Sequence, residues 1–298
     1  MTGDILRYLE NHGIEYKLHA DLSCISTMRI GGTALVFASP DSAEKLCRLI
    51  TYLEDSGIKN KLTGRMSNIL PTDEEYQGVI VNTLKFRTYS LAENEVVAST
   101  GAYMPALCRR LAKLDASLLP QISSIPATLG GMVYSNAGAH GKEISDAFIS
   151  GVFFDRDKRE MLEISRDEMN FSYRSSRLKN SSLILIEATL KISCEPKEDI
   201  FAQIEHFAKL RRQHQPIEYP SLGSIFLRVG DVSAGKLIDE CGLKGLSVGG
   251  ATVSEKHAGF IVNCGGATAR EVMSLIDIVK ERVLFLTGVE LQEEIEFL

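Results

Sequence analysis

Ile125-Pro-Ala-Thr-Leu-Gly-Gly131, followed closely by Asn136-Ala-Gly-Ala139, is the least ordinary stretch of this chain. It carries paired glycines and few charges, which makes it neither a good helix nor a good strand. Glycine lets the backbone approach a flat or anionic ligand closely, and an asparagine amide can both donate and accept hydrogen bonds. The spacing is not the GxGxxG fingerprint of dinucleotide-binding domains. The stretch therefore indicates either a ligand-binding loop of another kind or a structural loop that needs glycine for positive φ.

The segments on either side alternate between short β-rich runs and amphipathic helices. Asp41-Ser-Ala-Glu44 has the pattern of a capping box, and apolar residues follow it at helical spacing until Gly57. The strand-like runs lie at residues 35–37, 79–81, 96–98, 151–154 and 183–186, and a further helix is indicated around residues 107–114. This alternation predicts an α+β fold whose first domain is large enough to hold a nucleotide.

A polar break that contains proline, Cys194-Glu-Pro-Lys-Glu-Asp199, marks a candidate domain boundary. Beyond it the sequence indicates a helix around residues 204–210, a glycine-rich middle and a long amphipathic helix from Arg270 through Val283. We therefore predict a first domain over residues 1–195 and a smaller C-terminal α+β domain over residues 196–298.

Composition excludes several classes of protein. Of the 298 residues, 44% are hydrophobic and 24% are charged, as in ordinary globular proteins. The net charge of −6 disfavours nucleic acid as a partner. No apolar run approaches the roughly 18 residues that a membrane span needs, and the first residues lack the apolar core of a signal peptide. We therefore expect a cytoplasmic protein without a membrane partner, whose six scattered cysteines are reduced and mostly buried.

Four further segments could carry chemistry. Gly64-Arg-Met-Ser-Asn68 could turn its amides toward a phosphate, and Arg174 could hold a carboxylate by a two-point fork. Ser224 follows a glycine in a proline-pinned loop, and its hydroxyl could give or take a proton, whereas a lone imidazole such as His257 is most often structural. Each of these has an ordinary structural interpretation when taken alone. The six histidines lack HxxxH or HExxH spacing and the cysteines lack CxxC spacing, so we expect no metal site.

The order of such segments along the chain is far more specific than any one of them. In sequence they are Thr27-Met-Arg-Ile-Gly-Gly32, Gly64 to Asn68, Ile125 to Gly131, Asn136 to Ala139, Tyr173-Arg174, Tyr219-Pro-Ser-Leu-Gly-Ser224, Ala234-Gly-Lys-Leu-Ile238, Gly242-Leu-Lys-Gly245, Val253-Ser-Glu-Lys-His257 and Gly288-Val-Glu-Leu291. The series covers nearly the whole chain. It resembles the family of UDP-N-acetylenolpyruvoylglucosamine reductases, also called UDP-N-acetylmuramate dehydrogenases, of bacterial peptidoglycan synthesis.

The resemblance implies FAD as cofactor, NADPH as reductant and UDP-N-acetylglucosamine enolpyruvate as the nucleotide-sugar substrate. It also implies a two-part FAD-binding domain of the vanillyl-alcohol-oxidase type, with an N-terminal helix, and a smaller C-terminal substrate domain. Only a few residues separate Arg174 from the next strand-like run. The chain is therefore similar to the shorter form of the family, which lacks an inserted substrate-capping loop, and we expect a monomer.

Three catalytic residues follow from the resemblance, by motif. The family's reaction adds a hydride, delivered through the flavin, to C3 of the enolpyruvyl group, and negative charge then builds on C2 and the carboxylate. The motifs assign Arg174 and Glu294 to the stabilisation of that charge, and Ser224 to the protonation of C2. Glu293 is the competing register for Glu294.

The resemblance also implies binding residues. The cofactor-binding residues implied are Arg29, Gly64, Ser67, Asn68, Ile125, Pro126, Thr128, Gly130, Gly131, Asn136 and Gly138. Tyr173 and Arg228 are implied as substrate-binding residues, and Arg228 could grip the diphosphate although the family commonly has a lysine one position earlier, where Leu227 stands.

One departure from the family pattern concerns the cofactor. Arg65 and Met66 occupy positions of the Gly64 to Asn68 loop that are usually small in the family. If those positions need positive φ or close approach to the pyrophosphate, FAD binding would weaken, unless Arg65 points outward or pairs with a phosphate. Two alternatives therefore stay open: a flavin-poor binding or regulatory homologue, and another FAD oxidoreductase on the same domain.

Overall fold

A computed structural model describes residues 2–298, which form seven α-helices, several single-turn helices and short strands. The α-helices are α1 (Thr2–Asn11), α2 (Ala43–Asp55), α3 (Met104–Ala112), α4 (Leu129–Ser135), α5 (Lys197–His214), α6 (Ala234–Glu240) and α7 (Ala269–Thr287). The single-turn helices are Leu22–Cys24, Thr83–Lys85, Pro120–Ile122, Ile144–Asp146 and Asp167–Met169. None of these helices is long and apolar enough to span a membrane.

Three sheets hold most of the strands. The first has the order Glu15–Asp21, Thr33–Ser39, Tyr76–Asn82 and Asn60–Thr63, with the last two parallel. The second is antiparallel, in the order Glu160–Ser165, Phe148–Asp155, Leu183–Lys191, Glu95–Ser99 and Tyr89–Leu91. The third is also antiparallel, in the order Ser221–Ser224, Phe260–Asn263, Ala251–Val253 and Ser247–Val248.

Three pairs of short strands complete the pairing. They are Gly138–Ala139 with Lys142–Glu143, Ala116–Ser117 with Ser193–Cys194, and Ile69–Leu70 with Glu296–Phe297. Only the last pair is parallel. The mixture of helices and largely antiparallel sheets confirms the predicted α+β class.

Contacts divide the chain into two compact units. The first comprises Met1–Leu18, Val36–Arg65 and Gly78–Lys209, and the second comprises His19–Leu35, Met66–Gln77 and Leu210–Leu298. This division differs from the predicted one, which placed a single boundary between residues 195 and 196. The sequence-based boundary followed a polar break, whereas two early segments of the chain fold with the C-terminal part. The domain boundary itself stays a prediction.

The core of the first unit forms between the second sheet and two helices. Leu107 and Leu111 lie on one face of α3 and are buried, as their spacing predicts. They share a cluster with Phe148 and Phe153 of the sheet and with Met132 of α4. This core fixes the position of the glycine-rich stretch, because α4 is part of that stretch.

The core of the second unit is organised by α7. Val272, Ile276, Val279 and Val283 recur at helical spacing and are buried, and the same cluster takes in Leu70 from the early part of the chain. The helix begins at a reciprocal capping box between Thr268 and Glu271, and it ends where Gly288 adopts a left-handed φ of +72°.

Three local expectations were wrong in detail. The N-cap of α2 is Ser42, whose hydroxyl accepts the N–H of Lys45, while Asp41 pairs with the Lys45 ammonium. The glycine-rich stretch contains a short helix, α4, capped by the hydroxyl of Thr128. Of the six cysteines only Cys108 is buried, and burial raises the pKa of its thiol to about 12. Single cysteines carry too weak a signal for their burial to be read from sequence.

Candidate active site

The predicted proton donor, Ser224, ends an irregular strand. The preceding Gly223 has a φ of +84°, and the register of the strand Ser221–Ser224 against Phe260–Asn263 shifts along this pair. Ser224 is half-buried and pairs with Phe260, and its hydroxyl donates a long hydrogen bond of 3.3 Å to the carbonyl of Phe226. A hydroxyl that donates a long bond to a carbonyl two residues further along can be released to another acceptor at small cost.

The segment that carries Glu294 runs alongside the residues after Ser224. The N–H of Glu294 donates to the carbonyl of Ile225 at 2.8 Å, and the N–H of Leu227 donates to the carbonyl of Gln292 at 2.8 Å. These two bonds place the predicted acid and the predicted proton donor on adjacent pieces of backbone.

The structure separates the two candidate registers of the acid. The Glu293 carboxylate accepts a hydrogen bond of 2.7 Å from Lys280 of α7, and this bond raises the pKa of Lys280 above its ordinary value. The Glu293 side chain is therefore engaged with α7, and the role of Glu294 as the functional acid stays a prediction.

Asn68, one of the predicted cofactor-binding residues, contacts the same segment. Its side-chain amide donates to the carbonyl of Glu294 at 3.0 Å, and its own carbonyl accepts the N–H of Glu296 at 2.9 Å. The short parallel pair of Ile69–Leu70 with Glu296–Phe297 continues this contact. Within the second unit, the end of the predicted cofactor loop, the acid and the proton-donor strand are thus connected by successive hydrogen bonds.

Arg29 is positioned by a residue that sequence reasoning missed. The side chain of the buried Asn263 donates to the carbonyls of Met28 and Arg29 at 3.1 and 3.4 Å and accepts the N–H groups of Gly265 and Ala267. Asn263 ends a strand and has no motif of its own, so one sequence offers no signal for this role.

The backbone of Arg29 is in the left-handed region, with a φ of +53°, and its side chain is exposed. It borders a cleft of about 640 Å³ within the second unit, which is also lined by Ser23, Asp73, Thr268 and Arg270. Asp73 accepts the N–H groups of Ala269 and Arg270 at the start of α7.

Two predicted cofactor loops meet in the first unit. A Cβ atom added to Gly64 would lie 2.2 Å from the Oγ1 of Thr128, so only glycine permits this approach. The amide of the buried Asn82 donates to the carbonyl of Gly64 at 2.7 Å and to the Oγ1 of Thr63 at 3.2 Å. The motif around Gly64 and the glycine-rich stretch, far apart in sequence, therefore pack directly against each other.

The glycine-rich stretch packs against threonine side chains on one side and is exposed at Gly131. Thr128 is buried and caps α4, and a Cβ on Gly130 would lie 2.2 Å from the Oγ1 of Thr100. Gly131 is exposed, and a Cβ there would meet only the Oγ1 of Thr128 at 3.6 Å. Ile125 and Pro126 lead into this turn and are half-buried. A backbone free of side chains on its open side fits the close approach of a flavin nucleotide.

The two atypical residues of the Gly64 to Asn68 loop behave differently. Arg65 is exposed, as one of the sequence interpretations required. Met66 has a φ of +52°, a conformation that costs a non-glycine residue about 1–2 kcal/mol, and its side chain is buried at 2% exposure. Burial of a methionine contributes a stabilisation of similar or larger size, so the side chain of Met66 holds the strained loop in place.

Arg174 lies in a tight turn of the first unit. The N–H and C=O groups of Ser172 and Ser175 exchange hydrogen bonds of 3.1 Å across it, and Arg174 takes a φ of +53°. The guanidinium of Arg174 donates to the carbonyl of Gly138 at 3.2 Å and lies 5.2 Å from the ring centre of Tyr173. The turn thereby presents a fixed cation next to an exposed phenol.

Asn136 anchors that turn. It is 1% exposed, with a φ of +44°, and its amide donates to the carbonyl of Ser172 at 3.0 Å and to the carboxylate of Glu143 at 2.7 Å. Its oxygen accepts the N–H of Ser145 at 3.3 Å. The side chain of Asn136 thus joins the glycine-rich stretch to the Arg174 turn, and its predicted contact with the cofactor stays a prediction.

Glycine is required at position 138 for a steric reason. A Cβ added to it would lie 2.5 Å from the carbonyl oxygen of Lys142 and 2.7 Å from the Cγ of Glu143. Of the remaining predicted residues, Ser67 is half-buried in the second unit, and Arg228 is exposed there after the strand of Ser224. The structure therefore gathers Ser67, Asn68, Ser224 and Glu294 in the second unit, and Gly64, Thr128 to Gly131, Asn136, Gly138 and Arg174 in the first.

Known proteins are similar to this chain over both units. Residues 34–155 match a family described as an FAD binding domain, and residues 215–298 match the C-terminal domain of UDP-N-acetylenolpyruvoylglucosamine reductase. Relatives with that reductase name include one from Caldicellulosiruptor bescii, 38% identical over 98% of this chain and 93% of the relative. Another, from Fervidobacterium nodosum, is 36% identical over 99% of this chain and 96% of the relative.

A solved structure gives the same result. The crystal structure of the UDP-N-acetylenolpyruvylglucosamine reductase from Thermus caldophilus matches with a TM-score of 0.79 and 31% identity, over 95% of this chain and 98% of that one. With the flavin-binding region, the C-terminal region and full-length relatives all in agreement, this chain belongs to the UDP-N-acetylenolpyruvoylglucosamine reductase family.

Proposed function

We propose that this chain reduces the enolpyruvyl group of UDP-N-acetylglucosamine enolpyruvate to give UDP-N-acetylmuramate, with FAD as cofactor and NADPH as reductant, in peptidoglycan precursor synthesis. Family membership supports the reaction. The structural observation that carries it is the series of hydrogen bonds from Asn68 to Glu294 and from Glu294 to Ile225, because it joins three separately predicted parts of the site.

The cofactor is proposed to bind along the glycine-lined surface of Gly64 and Thr128 to Gly131, with Arg29, Ser67, Asn68, Ile125, Pro126, Asn136 and Gly138 as further candidates. Gly64 and Gly130 pack against threonine side chains, and the exposed Gly131 has no side chain to keep a flat or anionic ligand away from the backbone. Bound FAD, once reduced by NADPH, supplies the hydride that is added to C3 of the enolpyruvyl group.

Arg174 and Glu294 are proposed to stabilise the negative charge that develops on C2 and the substrate carboxylate. A guanidinium already fixed by the Gly138 carbonyl needs little reorganisation when charge appears. A carboxyl group can assist only by donating a hydrogen bond, so Glu294 acts in its protonated form.

Ser224 is proposed to protonate C2. After the hydride has added to C3, the Ser224 hydroxyl gives up its long bond to the Phe226 carbonyl and its proton passes from Oγ to C2, and the serine oxygen then takes up a proton from solvent. The carbon–carbon double bond is thereby replaced by two new carbon–hydrogen bonds.

Tyr173 and Arg228 are proposed as substrate-binding residues. Tyr173 is 49% exposed beside the Arg174 guanidinium, and Arg228 is exposed and offers a cation for the diphosphate. We further propose that the protein works in the cytoplasm as a monomer, with a small nucleotide-sugar and neither nucleic acid nor membrane as its partner.

The test of this function is optical. Purified protein should be yellow, should bleach when NADPH is added without oxygen, and should regain its colour when the nucleotide-sugar enolpyruvate follows. Protein that stays colourless after incubation with excess FAD, or that is reoxidised by oxygen but not by the nucleotide-sugar, would contradict the proposal.

A further inference from the structure

The imidazole of His257 and the hydroxyl of Ser224 lie against the same glycine. A Cβ atom added to Gly259 would be 3.0 Å from the Cε1 of His257, 3.2 Å from its Nδ1 and 3.3 Å from the Oγ of Ser224. Both groups are therefore within van der Waals reach of one point, and only the absence of a side chain at residue 259 leaves room for them.

The ring of His257 is held in one orientation. Its Nδ1 accepts the N–H of Gly259 at 3.1 Å, and its backbone N–H donates to the buried hydroxyl of Ser254 at 3.3 Å. The ring of Phe260 meets it edge to face at 4.9 Å, and Gly235 of α6 lies against its Cε1. An Nδ1 that accepts a hydrogen bond places the ring proton on Nε2.

Gly259 connects that ring to the proton-donor strand. Its N–H is bound by His257, and its C=O accepts the N–H of Ile225 at 2.8 Å, directly after Ser224. The next residue, Phe260, pairs with Ser224 itself. Any displacement of the Gly259 peptide therefore moves the backbone that carries the Ser224 hydroxyl.

The arrangement requires a neutral imidazole. Burial lowers the pKa of His257, a backbone hydrogen bond acts against it, and the nearby Lys244 lowers the pKa further, so that it stays below the ordinary histidine value. The neutral ring keeps the lone pair of Nδ1 available for Gly259, whereas a protonated ring would present two N–H groups and lose this bond.

We infer that His257 is a positioning residue for Ser224, acting through the Gly259 peptide whose N–H it binds and whose C=O fixes the Ser224 strand. The inference rests on the proposed function, because it assumes that Ser224 is the proton donor. It goes beyond the sequence interpretation of His257 as a purely structural residue.

Replacements of His257 that mimic one ring nitrogen at a time test whether Nδ1 or Nε2 is needed. In His257→Asn the amide oxygen stands near the place of Nδ1 and can accept the Gly259 N–H, whereas in His257→Gln the polar group reaches the place of Nε2. His257→Leu removes both acceptors. We expect Leu and Gln to slow the maximal rate at which the nucleotide-sugar restores flavin colour by about tenfold, as small misplacements do, while Asn stays close to wild type.

Two further readouts keep the outcome clear. Bleaching by NADPH and the concentration of nucleotide-sugar giving half-maximal recolouring should be unchanged in all three variants. In protein without the nucleotide-sugar, hydrogen exchange at the Gly259 amide should be faster in Leu and Gln than in Asn or wild type.

Several results would overturn the inference. They are recolouring at the wild-type rate in His257→Leu, rescue by Gln instead of Asn, unchanged exchange at Gly259, or a change confined to the half-saturating substrate concentration. If wild-type protein itself fails to recolour with the nucleotide-sugar, the proposed function fails instead, and the Gly259 exchange measurement still tests the contact.

Discussion

The turn that carries Arg174 and the strand that carries Ser224 are held in different ways. Polar side chains hold the arginine turn: the buried Asn136 binds the Ser172 carbonyl, and the hydroxyl of Ser176 donates to the carbonyl of Tyr134 at 2.9 Å. Backbone hydrogen bonds hold the serine strand, and the missing side chain at Gly259 leaves room for the Ser224 hydroxyl. The arginine turn should therefore fail when polar atoms are removed, and the serine strand when a methyl group is added.

On the arginine side of the comparison, the largest effect is expected where the arginine itself changes. Arg174→Lys keeps a positive charge but loses the planar fork, so we expect recolouring of the flavin by the nucleotide-sugar to slow about 10²–10³-fold, as for loss of one transition-state donor. Rapid-mixing absorbance measures this step separately from bleaching by NADPH. Equal slowing of both steps would show that the variant disturbs the flavin rather than the developing charge.

Removal of the anchor should act next most strongly. Asn136→Ala removes one hydrogen bond to the Ser172 carbonyl and leaves the N–H of the buried Ser145 without its side-chain acceptor, which destabilises the fold by about 1–3 kcal/mol and loosens the Arg174 turn. Urea unfolding measures the first effect. Asn11→Ala, at an exposed helix end, is the matched control and should stay within about 0.5 kcal/mol of wild type. Identical stabilities for the two variants would show that Asn136 does not anchor the Arg174 turn.

A methyl group at residue 259 tests the serine side of the comparison. Gly259→Ala forces atoms at 3.0–3.3 Å from the new Cβ to move, with an expected destabilisation of about 1–3 kcal/mol and slower recolouring. Gly3→Ala is the control, since nothing lies within 4 Å of its Cβ position and alanine favours α1. Unchanged recolouring in Gly259→Ala would mean that the Ser224 hydroxyl does not depend on this clearance.

The smallest effect is expected at Glu293, the competing register for the acid. The hydrogen bond from Lys280 to Glu293 raises the pKa of Lys280, so the pair stabilises the folded state below the unfolded lysine value of 10.5 and loses this contribution as the pH rises through the raised value. Both side chains are about 30% exposed, and we expect Glu293→Gln to cost about 0.2–1 kcal/mol at pH 8 and recolouring to be unchanged. Glu294→Gln should instead slow recolouring strongly. The reverse pattern would assign the acid to Glu293.

Much of the fold was predictable because it is local. The apolar spacing of α3 and α7 and the end of α2 before Gly57, which has a φ of +62°, follow from nearest-neighbour chemistry. The order of motifs was enough to predict the family, which the full-length relatives confirm.

The rest depends on contacts between distant residues. The N–H of Glu294 meets the carbonyl of Ile225 across nearly seventy residues, and Asn263 holds Arg29 across more than two hundred. No periodicity or spacing encodes such pairs. Asn136 shows the same limit, because its buried neighbours need hydrogen-bond partners and the sequence does not reveal which groups will be buried beside it.

Ser224 is proposed to deliver the proton that completes the reduction, and Ser224→Ala removes the hydroxyl that would do so. The rate of bleaching by NADPH and the rate of recolouring by the nucleotide-sugar enolpyruvate are measured in one rapid-mixing experiment. We expect unchanged bleaching and recolouring slowed about 10²–10⁴-fold, the usual effect of losing a general acid. Recolouring at the wild-type rate would contradict this role of Ser224.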